Sequence, residues 1–160
     1  MKRRIRAVAV AAVVAAASFT IHADKPSSHN ADIQLQLAQL FFQDGRYVES
    51  LDAFQKALAA QDPSDSQRVR TARVGVVQSA LRVAEFTIAR REAEQLLSSD
   101  PRSPEVLSLY GDSLWASGLF DEAETKYRDA LAVVPEQARA HHGIARSLLA
   151  PAPAAARAPA

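Results

Sequence analysis

The sequence predicts an all-α chain of antiparallel helix pairs, and three observations carry that expectation. About half of the residues are apolar (48%), aromatics and glycines are few, and Ala, Leu, Gln, Glu and Arg abound, which is a composition of good helix formers. Apolar residues recur three and four apart in several successive segments, the spacing of one helix face. No β-branched run alternates with polar residues between turn signals, so no strand is expected.

In residues 1–23, Lys2, Arg3, Arg4 and Arg6 precede an uncharged apolar run from Ala7 to Ala17 that continues more weakly through Phe19 and Ile21. This pattern reads as a secretory signal peptide cleaved after Ala23, with Ala17 as the other candidate, and the run is short for a membrane span. An uncleaved N-terminal membrane anchor is the alternative. The chain is therefore expected to be exported, and periplasmic if its source is Gram-negative. It has no cysteine, which removes both a lipidated cysteine and disulfides. From Asp24 onward 15 Lys and Arg face 18 Asp and Glu. That balance is mildly acidic and has no basic stripe interleaved with aromatics, so nucleic acid is not an expected partner.

Residues 24–30, with Pro26 and two serines, read as a flexible linker. In residues 31–63, Leu37, Ala38 and Phe41 form one helical stripe and Ser50, Phe54 and Ala57 another. Gly45 stands between them and Asp62-Pro63 closes the unit. In residues 67–103 the two stripes are Val76, Val77 and Ala80, then Ala89, Ala93 and Leu96. No glycine marks the turn there; Val83-Ala84 stands in its place. The spacing from Pro63 to Pro101 is 38 residues, four more than the 34 from Pro101 to Pro135, which implies a four-residue insertion near Pro63–Gln67, as a longer loop or an extra helical turn. One unbroken helix from Ser66 to Ser98 is the competing reading of that stretch.

Residues 104–137 give the clearest pair. Ser103 is a good N-cap, and Pro104 suits a first turn whose N–H needs no partner. Leu107, Tyr110, Gly111 and Leu114 share a face, Gly118 supplies the turn, and Ala123, Tyr127, Ala130 and Leu131 form the second stripe. Asp121 and Glu122 sit where the helix dipole favours acids, Pro135 ends the unit, and small Gly111 and Ala123 permit close approach. Residues 138–149 read as a last helix on Ile144, Ala145 and Leu148, and residues 150–160 as a disordered Pro/Ala-rich tail.

These residues resemble the tetratricopeptide repeat, a 34-residue helix–turn–helix unit. With Pro104 as the first position, Tyr110-Gly111 takes the place of its Leu-Gly pair. Gly118 takes its turn, Ala123, Tyr127 and Ala130 its small–aromatic–small triplet, and Pro135 its closing proline. Counting back 34 residues from Pro135 reaches Pro101, another unit end. The resemblance implies an α-solenoid of three repeats and a final single helix, about 31–63, 67–103, 104–137 and 138–149. It also implies a non-enzymatic protein-interaction scaffold, which the expected signal peptide would place in the cell envelope. The first helix of each repeat would line a concave groove, with Gln39, Phe42, Val74, Gln78, Leu81, Ser108, Asp112, Trp115, His142 and Arg146 as candidate contacts for a peptide or helix of a partner protein. Trp115 is the first choice of anchor, against the plainer role of packing between helices. Some family members hold chaperone C-termini in a two-carboxylate clamp of Lys, Asn and Arg. Leu35 and Gln39 stand where the first Lys and Asn would be, so that clamp is absent.

Catalysis is not expected. No Gly-x-Ser-x-Gly, P-loop or dinucleotide fingerprint occurs. His141 and His142 are adjacent, about 100° apart on a helix, which is poor geometry for one metal ion, so neither metal nor cofactor is expected. Asp121, Glu122 and Glu124 read as a solvated helix start. Two rivals remain at this level: an N-terminal repeat region of a larger exported enzyme, such as a protease or glycosyltransferase, and a self-association module using Ile144 and Leu148.

Overall fold

The computed structural model describes residues 26–149. Among them lie seven helices: α1 (Pro26–Gln43), α2 (Tyr47–Ala60), α3 (Ser66–Arg82), α4 (Phe86–Ser99), α5 (Pro104–Ala116), α6 (Phe120–Val133) and α7 (Ala138–Leu148). No strand occurs among the described residues. The expected signal segment and the Pro/Ala tail fall outside them. The linker expected at 24–30 needs correction, because Pro26 to Asn30 is the first part of α1. Proline is tolerated at the first helical position, and the polar residues after it are that helix's opening turn, followed by fully buried Ala31.

Each helix packs against the next, and α1 also meets α3, α3 meets α5 and α5 meets α7. The even-numbered helices make no such contact with one another among the described residues. A double row in which only one layer touches itself curves with that layer on the inside. The odd-numbered helices therefore form the concave wall of the solenoid.

Three turns join the pairs by one recipe. Gly45, Ala84 and Gly118 have φ of 75°, 62° and 81°. In each turn the next residue's N–H reaches back five residues to a helical carbonyl: Arg46 to Phe41, Glu85 to Ala80 and Leu119 to Leu114, at 2.9, 2.9 and 3.0 Å. These bonds satisfy the carbonyls a helix end leaves open. The second turn breaks the long helix that Ser66–Ser98 could have formed, although it sets an alanine in the left-handed region. The insertion after Pro63 is an extra turn of helix. α3 has 17 residues against 13 for α5, and Asp65 caps it by accepting the Arg68 N–H. At α5 the Ser103 side chain accepts the Val106 N–H, ahead of Pro104 in the first turn.

The core runs without interruption, since Leu97 and Tyr110 pack against both of its clusters. Its register is set by aromatic rings seated on glycines. A Cβ on Gly75 would lie 2.3 Å from the Phe54 ring, and Cβ atoms on Gly111 and Gly143 would lie 2.6 and 2.4 Å from the Tyr127 ring. Phe54 of the first pair thus rests on α3, and Tyr127 lies between α5 and α7. In the middle pair the sizes are exchanged. Ala93 stands 34 residues before Tyr127 and Leu109 stands 34 before Gly143, both fully buried in one cluster. Large opposes small throughout, as close packing demands. The buried Ser50 hydroxyl donates to the Ala38 carbonyl at 2.9 Å and lies 3.0 Å from the Ser79 hydroxyl, so it enters the core with partners.

Candidate partner-binding groove

The concave wall carries two adjoining hollows of about 730 and 190 Å³ that share Phe42 and Gln78. The smaller lies along α1 and α3, where Gln39, Val74 and Thr71 line it. The larger runs from Phe42, Gln78, Leu81, Arg82 and Phe86 to Asp112, Trp115, Arg139, His142 and Arg146. All the residues proposed from sequence except Ser108 border one or both hollows. Ser108 is a correction. It is fully buried and its hydroxyl donates to Gln137 Oε1 at 2.5 Å, tying α5 to the start of α7. That position faces the α5–α7 junction and not the groove.

The α7 end of the groove is held by a network centred on Asp112. One carboxylate oxygen accepts the Tyr127 hydroxyl at 2.7 Å and Arg146 Nη2 at 2.9 Å, and the other accepts Arg139 Nε at 2.8 Å. Arg146 Nη2 also donates to the Tyr127 oxygen at 2.9 Å. Because Gly111 and Gly143 clasp the Tyr127 ring, its hydroxyl is delivered to Asp112 with little freedom. Burial raises the Tyr127 pKa well above its ordinary value, and the neighbouring Asp112 carboxylate pushes it the same way. The hydroxyl is a fixed donor, unsuited to act as a base or nucleophile. Asp112, expected as a groove contact, is a hub that accepts from three of its neighbours.

Trp115 is half-buried. The Arg146 guanidinium lies 4.0 Å from its ring centroid and the Phe120 ring meets it edge-on at 5.7 Å. Phe42 has the matching arrangement with Tyr47 at 5.3 Å. Trp115 therefore packs against its neighbours and also lines the larger hollow. His142 is exposed at the rim. His141 lies elsewhere, with Nε2 donating to the Pro135 carbonyl at 2.7 Å.

Arg82 and Phe86 also border the larger hollow but were not among the sequence candidates. A signal for Phe86 existed: an aromatic stands two residues after each turn, at Tyr47, Phe86 and Phe120. Arg82 lies one position beyond Leu81, where helix periodicity alone does not decide between wall and rim.

Among the described residues no group of three or more His, Asp or Glu side chains is placed to hold a metal, and no helix is long and apolar enough to cross a membrane. The arrangement can hold a ligand by apolar contact and by donated hydrogen bonds.

Solved structures share this fold at low identity. The first such repeat domain of Spaghetti (RPAP3), bound to the HSP90 peptide SRMEEVD, superposes with a TM-score of 0.65 at 18% identity, covering 76% of this chain and 92% of that one. The second such domain of human RPAP3, in complex with the HSP70 peptide SGPTIEEVD, gives 0.65 at 16%, covering 76% and 98%. The Arabidopsis OM64 domain gives 0.66 at 12%, covering 76% and 97%. No curated protein matches the chain. The family model described as tetratricopeptide repeat matches residues 7–66, 77–138 and 111–160. With its helix pairs, its turns and this match over most of its length, the chain belongs to the tetratricopeptide repeat family.

Proposed function

We propose that this protein is a non-catalytic interaction scaffold that holds a segment of a partner protein, an extended peptide or a helix, in its concave groove. The observation that carries the reading is the larger hollow itself, where Phe42, Leu81, Phe86 and Trp115 sit beside arginines on the layer where the odd-numbered helices converge. The RPAP3 domains, which share the fold, were solved with HSP90 and HSP70 peptides bound. Those examples support groove binding as a use of this architecture. The proposed setting is the cell envelope, after export directed by residues 1–23, and the basic-then-apolar order of that segment supports it.

The test is comparative capture of partners by the wild-type chain and by Trp115→Ala. Loss of an indole that anchors a ligand should weaken binding of a groove partner about tenfold or more, as truncation of a buried aromatic anchor does. Recovery of the same partners at the same strength by both chains would remove the groove from the mechanism. N-terminal sequencing of the protein from fractionated cells checks the export reading, which predicts a mature chain starting at Asp24, or near Ser18 for the alternative cut.

A further inference from the structure

We infer that the larger hollow is built for side-chain carboxylates next to an apolar side chain, so that its occupant is an internal acidic segment of a partner protein. This deepens the groove reading and rests on it. The first support is the balance of donors and acceptors. Arg82, Arg139 and Arg146 border the hollow, and a guanidinium only donates. The lone carboxylate of that lining, Asp112, already accepts from Tyr127, Arg139 and Arg146. Arg82 is exposed and makes no ion pair among the described residues; its guanidinium rests 5.5 Å from the Tyr47 ring centroid. Trp115 Nε1 and Arg146 Nε are buried without a hydrogen-bond partner. Those two atoms are covered by protein, so the donor the hollow leaves open to a ligand is the Arg82 guanidinium, and the three arginines against one carboxylate give the lining more positive than negative charge.

The second support is contrast with the rest of the molecule. From Asp24 onward acidic residues outnumber basic ones, 18 to 15. The cationic field is thus a local property of the hollow. It favours a short acidic segment over a long polyanion, which needs an extended basic track. The third support is the mixture of surfaces. Phe42, Leu81 and Phe86 border the same space as the arginines, so a carboxylate can meet a guanidinium while its apolar neighbour leaves water. The hollow also continues through Phe42 and Gln78 into the smaller one along α1 and α3, which leaves room for a chain to run on past the site.

The experiment uses the full chain and three fluorescent peptides with amidated C-termini, Gly-Ser-X-Leu-X-Ser-Gly with X as Glu, Gln or Lys, read by fluorescence polarisation. The Glu peptide should bind about tenfold more tightly than the Gln peptide, the Lys peptide should not bind, and raised salt should narrow the difference. Arg82→Gln should cut the preference for Glu over Gln several-fold, Arg82→Lys should keep most of it, and both variants should melt as wild type does because Arg82 is exposed. Equal binding of the Glu and Gln peptides would overturn the inference; if both then weakened in Trp115→Ala, the groove reading would survive. A fourth peptide, the Glu sequence with a free C-terminal carboxylate, separates the chain-end case: binding by that peptide alone would assign the site to a chain end and overturn the internal segment. No binding of any peptide would overturn the inference as well, leaving partner capture with Trp115→Ala to judge the groove.

Discussion

Tyr127 shows how one side chain can fix both packing and site. Its ring fills the space that Gly111 and Gly143 leave open, and its hydroxyl ends on Asp112. Tyr127→Phe keeps the ring and deletes the hydroxyl's bonds to two charged groups, Asp112 and Arg146, which should cost about 1.5–3 kcal/mol in denaturant melts. The same hydroxyl gives a pH signature. Its folded pKa lies above the unfolded value of 10.0, so it stays protonated in the folded chain while the unfolded chain has begun to lose its proton. The unfolded state then binds fewer protons, and stability falls as pH rises above about 10; below that the contribution is complete. Melts between pH 8 and 11 should show a steeper loss for wild type than for Tyr127→Phe. A second residue works against the fold. Ala84 has φ of 62° at the turn where the other pairs use glycine. Ala84→Gly should stabilise the chain by about 0.5 kcal/mol, because relieving a left-handed L-residue gains about 1–2 kcal/mol and the added chain entropy takes back about 0.4–1 kcal/mol. A melt shifted downward would show that the alanine methyl makes a contact worth more than the strain.

At the scale of elements, the last helix is the instructive one. α7 buries little apart from Ala140 and Gly143, and its outer Leu148 is 69% exposed. What seats it is the fit of Gly143 on Tyr127 together with the two arginines on Asp112. Gly143→Ala would place a methyl within 2.4 Å of the Tyr127 ring, which cannot retreat because Gly111 holds its other side. The expected cost is about 1–3 kcal/mol, with faster amide exchange in α7 than in α1–α4. Helix boundaries were legible wherever a local signal exists. Ser103-Pro104, Gly118 and Gly45 mark ends that chemistry dictates. The Val83-Ala84 turn was legible only through the 34-residue register, since neither residue favours a positive φ. The start of α1 was not legible, because a polar opening turn and a linker have the same composition. Ser108 and Arg82 failed for a related reason. Repeat position says which helix a residue belongs to, whereas a few tens of degrees of helix rotation decide between groove, rim and interior.

For the whole molecule, the solenoid and its inner wall were legible because each pair repeats one pattern and confirms the next. The acceptor-poor character of the larger hollow was not. It depends on Asp112 being engaged by residues 15, 27 and 34 positions away in sequence. No local pattern encodes such a convergence. It follows once α5, α6 and α7 are brought together by the Tyr127 clasp, which is why the groove's shape could be foreseen better than its charge.

The pattern of contacts along the odd layer has a mechanical consequence. Each helix holds only its neighbours, and α1 has no bond to α7 among the described residues. Nothing fixes the distance between the two ends except the sum of small angles at each interface. Such an array behaves as a soft spring: it can open or tighten its curve by slight tilts at every joint without breaking any one of them. A partner segment gripped along several pairs would stiffen that spring, and a pull on either end would reach the grip as a change of curvature.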